Sequence, residues 1–162
     1  MCGFAGFIDR PNRIADPASA MALMSNAIRH RGPDGEGQSF DASRRIGLVH
    51  RRLAIQDPSE AGAQPMRSAS DRFELVYNGE IYDFLELRAE LEIAGHRFRG
   101  KSDTEVLLAG FDAWGIEPTL KRVDGMFAFA VIDRREGRLI LARDQAGQKP
   151  LLLAVAGTCI AF

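Results

Sequence analysis

The chain is a succession of short apolar runs with strand character, broken by separate blocks of helical spacing. Residues 4–9 alternate well enough for a strand. Asp16-Pro17 has the form of a helix N-cap followed by proline at the first helical position. Met21, Met24 and Ile28 then recur at helical spacing, with Leu23 and Ala27 beside them. This helix is predicted to stop near Arg29, ahead of a Gly- and Pro-rich loop over 31–37. Residues 46–50 and 73–77 are predicted as strands. A helix over about 84–94 should end at Gly95, a residue suited to the closing turn. A third helix follows Ser102 and should finish near Trp114, before Gly115 and Pro118. Residues 127–133 and 138–144 are expected to form a hairpin across 134–137, and 151–155 to pair with 158–162 across Ala156-Gly157.

Strands dominate, neighbouring strands are joined by short turns, and the helices come in blocks. That order favours an α+β fold with mainly antiparallel sheets over a parallel doubly wound one. At 162 residues the chain fits one domain and can bury a core without disulfides or metals. Lys+Arg is 21 against Asp+Glu at 22, which leaves no global basic field for nucleic acid or an anionic membrane. No apolar run approaches the roughly 20 residues of a membrane span, and the first residues lack the pattern of a signal peptide. Cys2 and Cys159 lie at opposite ends without metal-ligand spacing, so the expectation is two reduced thiols in a cytoplasmic protein. The last residues, Cys159-Ile-Ala-Phe162, break off inside an apolar strand-like run. The chain is therefore expected to be part of something longer, and an unfinished strand invites self-association, with a homodimer as the simplest form.

The candidate chemistry starts at the second residue. A cysteine there has a small side chain, so methionine aminopeptidase should remove Met1 and free the α-amine of Cys2. An α-amine and a thiol have reference pKa values of about 8 and about 8.5. One residue would then carry a nucleophile and a base of matched strength, with no separate histidine. On position alone, a small buried residue at a strand start is the favoured reading of Cys2. Tyr77-Asn78-Gly79-Glu80 between apolar residues is a type I′ hairpin signal. It is also a plausible oxyanion hole, made of the Asn78 side-chain amide and the Gly79 N–H. Ser102-Asp103-Thr104-Glu105 has the form of a capping box, and Asp103 could equally turn into a pocket to hold an ammonium. Arg51-Arg52-Leu53 is a basic pair on a loop, or an arginine fork for a carboxylate.

The strings themselves, in order, carry more than any one of them. They are Met1-Cys-Gly-Phe-Ala-Gly6, Arg29-His-Arg-Gly-Pro-Asp-Gly35, His50-Arg-Arg-Leu-Ala-Ile55, Gln64-Pro-Met66, Tyr77-Asn-Gly-Glu-Ile-Tyr82, Ser102-Asp-Thr-Glu-Val-Leu107, Asp124-Gly-Met-Phe-Ala-Phe129 and Arg143-Asp144. Together they closely resemble the N-terminal glutaminase domain of asparagine synthetase B-type enzymes, within the class II (N-terminal-nucleophile) glutamine amidotransferases. The resemblance covers essentially all of residues 1–162.

It implies an N-terminal-nucleophile hydrolase fold, with two stacked, mainly antiparallel sheets between helical layers. By the same resemblance, Cys2 attacks the side-chain amide of L-glutamine and forms a glutamyl thioester. Asn78 and Gly79 stabilise the oxyanion, and Arg52 grips the substrate carboxylate. The backbone around Ile55, with Glu80 and Asp103, meets the ammonium end. A free amino acid needs one cationic and one anionic clamp, and these residues supply both.

Three departures from the family pattern stand out. Asp83 replaces an asparagine and is expected as a cap or turn residue. Gln145, Gln148 and the run Leu151-Leu-Leu153 differ where the domain tends to meet its partner. There is also no Ser-Gly-Gly-x-Asp-Ser pyrophosphate loop and no Walker loop, so ATP and Mg²⁺ are expected only for an absent C-terminal synthetase domain. No metal or cofactor is expected in this domain. Two alternatives remain open at this point: a catalytically silent glutamine- or partner-binding module of the same fold, and an N-terminal cysteine acylase acting on a different amide.

Overall fold

The computed structural model describes residues 2–55 and 57–162. Within them, nine strands form two antiparallel sheets. The first sheet contains β1 (Gly3–Asp9), β2 (Gly35–Asp41), β3 (Ile46–Arg52), β8 (Ala154–Ala156) and β9 (Cys159–Ala161), in the order β2-β3-β1-β9-β8. The second contains β4 (Met66–Arg67), β5 (Phe73–Ile81), β6 (Gly125–Asp133) and β7 (Arg138–Arg143), in sequence order. Helix α1 (Pro17–Ala27) covers the outer face of the first sheet. Helices α2 (Phe84–Ile93) and α3 (Asp103–Trp114) cover the second, and the short α4 (Ile116–Leu120) follows α3.

Period-two alternation sorts the side chains into three cores. On β3, Ile46 and Leu48 meet Val76, Ala130 and Ile132 of the other sheet, while Val49 points the opposite way to Phe7 and Met21. On β5 and β6, Phe73, Leu75, Tyr77, Phe127, Phe129 and Val131 pack under Leu87, Leu91, Val106, Leu107, Leu108 and Phe111. Each fully buried large side chain contributes about 1.5–3 kcal/mol relative to exposure. The two-sided burial of the second sheet explains why its central strands are nearly continuous apolar runs.

The helix signals act where they were expected. Asp16 accepts from the Ser19 N–H (3.1 Å) with Pro17 opening α1. That helix ends at Ala27 and passes into a 3-10 turn over Arg29–Arg31. Ser102 caps α3 by accepting from the Glu105 N–H (3.3 Å). The reciprocal half of the capping box is not made. The Glu105 carboxylate instead accepts from the N–H groups of Arg99 (2.8 Å) and Gly100 (2.9 Å). Asp83 occupies the N-cap position of α2 without capping it, and its carboxylate takes the Asp124 N–H (3.0 Å) at the head of β6.

Four expectations need correction. Asn78 and Gly79 are not a hairpin turn: they lie inside β5, opposite Ala128 and Phe127 of a nine-residue partner strand. The segment expected as loop to residue 37 is already strand from Gly35, in register with Arg52. At the C-terminal hairpin the turn sits one residue later, at Gly157-Thr158, with Gly157 at φ +64°. The final apolar run is also not an open edge. β9 is paired on both sides, and Phe162 exchanges backbone hydrogen bonds with Gly6 (2.9 and 3.0 Å).

Candidate active site

Cys2 immediately precedes β1 and lies on the same side of that strand as Phe4, toward the second sheet. Its Sγ sits beside the end of β3, accepting from the Leu53 N–H (3.4 Å) and directing its S–H to the Leu53 carbonyl (3.6 Å). The Arg-His-Arg-Gly-Pro-Asp-Gly string packs behind it. Arg31 donates to the Cys2 carbonyl (3.4 Å), and Asp34 receives the Ala54 N–H (2.9 Å) while its own N–H bonds the Arg52 carbonyl (3.0 Å). Gly3 is required here, since a Cβ would lie 2.7 Å from Cβ of Arg31. The expected removal of Met1 lies outside the described residues.

A cavity of about 170 Å³ opens over the sulfur, and Cys2, Arg52, Ile55, Asn78, Gly79, Glu80 and Asp103 all line it. Residues drawn from β3, β5, the start of α3 and the chain before β1 are thus brought to one place. The guanidinium of Arg52 donates to two backbone carbonyls, of Ser59 (2.8 Å) and of Asp57. Gly62 makes that approach possible, because a Cβ there would collide with Nη2 of Arg52. Arg52 has no carboxylate within ion-pair distance among the described residues, and the nearest acidic influence is a longer-range attraction to Asp57. The Asp57 carboxylate is spent on the loop itself. The Lys101 N–H and Ser59 hold it below the usual carboxylate range.

The strand geometry decides what Gly79 offers. In an antiparallel ladder, a residue turns both of its backbone polar groups toward the same neighbouring strand, and alternate residues face opposite ways. Phe127 spends its groups on Asp144, donating to Oδ2 (3.1 Å) and accepting from its N–H (2.7 Å). Its partner Gly79 therefore directs its N–H away from β6, on the same edge as Tyr77 and Ile81. The Tyr77 N–H is taken by Oε1 of Gln64 (2.6 Å) and the Ile81 N–H by Oδ2 of Asp103 (3.0 Å). β4 has already ended, so the Gly79 N–H between them faces the cavity. Asn78 is buried beside it, on the face toward the first sheet.

Asp103 is almost fully buried, and burial raises its carboxyl above the ordinary range. The Ile81 N–H, the Tyr77 hydroxyl (2.8 Å) and its neighbour Thr104 N–H (2.8 Å) oppose that rise by bonding the ionised form. Glu80 is exposed at the rim, as is Ile55. Sequence reasoning gave no role to Tyr77, Gln64, Met126 or Lys149, which also line the cavity. Lys149 is 5% exposed, an unusual burial for lysine. Nothing local in Gln148-Lys-Pro150 signals that its lysine lines the same cavity as Cys2.

A family model described as a glutamine amidotransferase domain matches residues 1–162. The chain belongs to that family. The amidotransferase domain is 43% identical over 99% of its length to a putative asparagine synthetase [glutamine-hydrolyzing] of Mycobacterium tuberculosis (strain CDC 1551 / Oshkosh). It is 37% identical over its whole length to asparagine synthetase [glutamine-hydrolyzing] 3 of Bacillus subtilis (strain 168). It covers 27% and 26% of those proteins, about a quarter of their length. Among solved structures, the glutamine phosphoribosylpyrophosphate amidotransferase from B. subtilis superposes with a TM-score of 0.76 at 23% identity, over 99% of the domain and 41% of that chain. The architecture is thus that of the N-terminal-nucleophile hydrolases, α+β with two stacked sheets between helical layers.

Proposed function

We propose that the domain hydrolyses the side-chain amide of L-glutamine to glutamate and ammonia, and that the ammonia passes to an asparagine-synthetase-type domain. The observation that carries this reading is the convergence of one nucleophile, one oxyanion edge and two opposite clamps on a single small cavity. The carboxylate of the substrate pairs with Arg52, whose planar fork is already oriented by two carbonyls. The ammonium docks against Asp103 and Glu80. The side-chain amide then extends to Sγ of Cys2.

The α-amine of Cys2, free once Met1 is removed, takes the thiol proton as sulfur attacks the amide carbon. The negative charge that develops on the amide oxygen is received by the Asn78 side chain and the Gly79 N–H. Collapse breaks the C–N bond, and the α-ammonium returns its proton to the departing ammonia. Water, deprotonated by the same amine, then attacks the thioester, and glutamate leaves as sulfur is reprotonated. Oxyanion donors of this kind contribute about 10²–10³-fold each to the rate.

Decarboxylated glutamine, 4-aminobutanamide, keeps the amide and the ammonium but lacks the group assigned to Arg52. It should be turned over at least about tenfold less efficiently than glutamine, the value of one charge-assisted hydrogen bond. Equal kcat/KM for the two would reject the free-amino-acid assignment in favour of a general amide hydrolase.

A further inference from the structure

Tyr77 is buried within β5, and all three of its polar groups are engaged by side chains from different parts of the fold. Its N–H donates to Oε1 of Gln64 (2.6 Å), and its carbonyl accepts from Nε2 of His50 (3.2 Å). Its hydroxyl donates to Oδ2 of Asp103 (2.8 Å). Gln64 in turn reaches Oγ1 of Thr104 (3.4 Å), at the head of the helix that carries Asp103. Where β4 has stopped, Gln64 and His50 thus complete the hydrogen bonding of the strand that goes on to Asn78 and Gly79. The ring is further fixed among the apolar side chains beneath α2 and α3. These bonds leave little freedom to either the phenol or the carboxylate it meets.

We propose that Tyr77 is a specificity-determining positioning residue, its hydroxyl fixing the Asp103 carboxylate at the place where the substrate α-ammonium docks. This rests on the reading of Asp103 as the ammonium clamp. Two features single out the hydroxyl. First, Oδ2 of Asp103 accepts from both the Tyr77 hydroxyl and the Ile81 N–H, so the carboxylate is tied at two points to the strand that holds the oxyanion donors. The distance from ammonium site to reacting amide is thereby set by one strand. Second, a carboxylate this buried tends toward its neutral form, and the phenol O–H favours the ionised form that attracts an ammonium.

The test uses the full chain, with ammonia release followed from L-glutamine and from 4-carbamoylbutanoate, which is glutamine without its α-amine. Tyr77→Phe keeps the ring and removes only the hydroxyl. It should lower kcat/KM for glutamine about tenfold, chiefly through KM, and leave 4-carbamoylbutanoate within about twofold of the parent. Asp103→Asn should abolish the preference for glutamine, and Tyr77→Phe added to Asp103→Asn should have no further effect on it. If Asp103→Asn removes the preference while Tyr77→Phe leaves it intact, the role of Tyr77 is refuted and the clamp stands. If Asp103→Asn leaves the preference unchanged, the clamp itself is wrong and the inference falls with it. If Tyr77→Phe slows both amides equally, the hydroxyl is a general structural element and the inference is overturned.

Discussion

Gly79→Ala tests the oxyanion edge through a clash that can be measured in the structure. A Cβ at position 79 would lie 2.5 Å from the Met126 carbonyl and 2.6 Å from Cβ of Phe127. Restoring an ordinary 3.4 Å contact requires β5 and β6 to separate by about 0.9 Å at this pair. Both obstacles belong to the backbone or its first carbon in a strand paired on both sides, so rotation of a side chain cannot relieve them. Overpacking of this kind costs about 1–3 kcal/mol. In a domain of this size that lowers Tm by roughly 2–12 °C. The catalytic consequence is larger. Because the Gly79 N–H points away from β6, that separation pushes the donor about 0.9 Å into the cavity, out of hydrogen-bonding geometry with an oxyanion placed for the parent strand. Loss of one oxyanion donor lowers kcat by about 10²–10³. The assay is glutaminase kcat at a temperature well below the lowered Tm, beside a melting curve on the same sample. A folded variant with lowered Tm and kcat within about threefold of the parent would refute the argument, because the strand would have moved without consequence for the chemistry.

Other outcomes follow from the same geometry. Arg52→Lys cannot keep two carbonyl bonds and present a fork to a carboxylate, so KM for glutamine should rise by about 10–100-fold with a much smaller change in kcat, read from steady-state kinetics. His50 is wholly buried, its Nδ1 has no hydrogen-bond partner among the described residues, and burial lowers its pKa from 6.5 to about 4. A histidine depressed in this way stabilises the fold fully above pH 6.5, and the contribution is lost as pH falls toward 4. Between pH 7 and pH 5 the parent should lose about 2 kcal/mol more unfolding free energy than His50→Gln, measured by urea titration. Parallel losses in the two proteins would show that the imidazole does not titrate on unfolding.

The local signals were the most legible. Asp16-Pro17, Ser102, Gly95 and Gly115 set helix ends through backbone chemistry confined to a few residues, and the structure places the ends within one or two residues of them. β5 shows where local signals stop. Tyr-Asn-Gly-Glu has every attribute of a two-residue turn, but pairing along all nine residues of β6 outweighs a turn preference worth little by itself. The same contest hid β2, whose Gly35-Glu-Gly37 is poor strand sequence recruited by the register with β3.

In the cavity, the candidate residues with reactive or charged groups were visible because their strings are distinctive. The residues that hold them were not, because Gln64, His50 and Tyr77 meet only through contacts 13 to 27 positions apart in the chain. Asp103 illustrates the overlap of structural and chemical roles. Ser102 does the capping, and the carboxylate of the first residue of α3 turns to Tyr77 at the cavity.

The central claim is that Cys2, freed of Met1, is the nucleophile that releases ammonia from glutamine. Intact mass and glutamate release measured on the same sample, beside Cys2→Ala, test it most directly. The account predicts a chain lighter by one methionine that releases glutamate, and no release from the alanine variant. Glutamate release that persists in Cys2→Ala, or a fully processed chain that binds glutamine without turning it over, would contradict it.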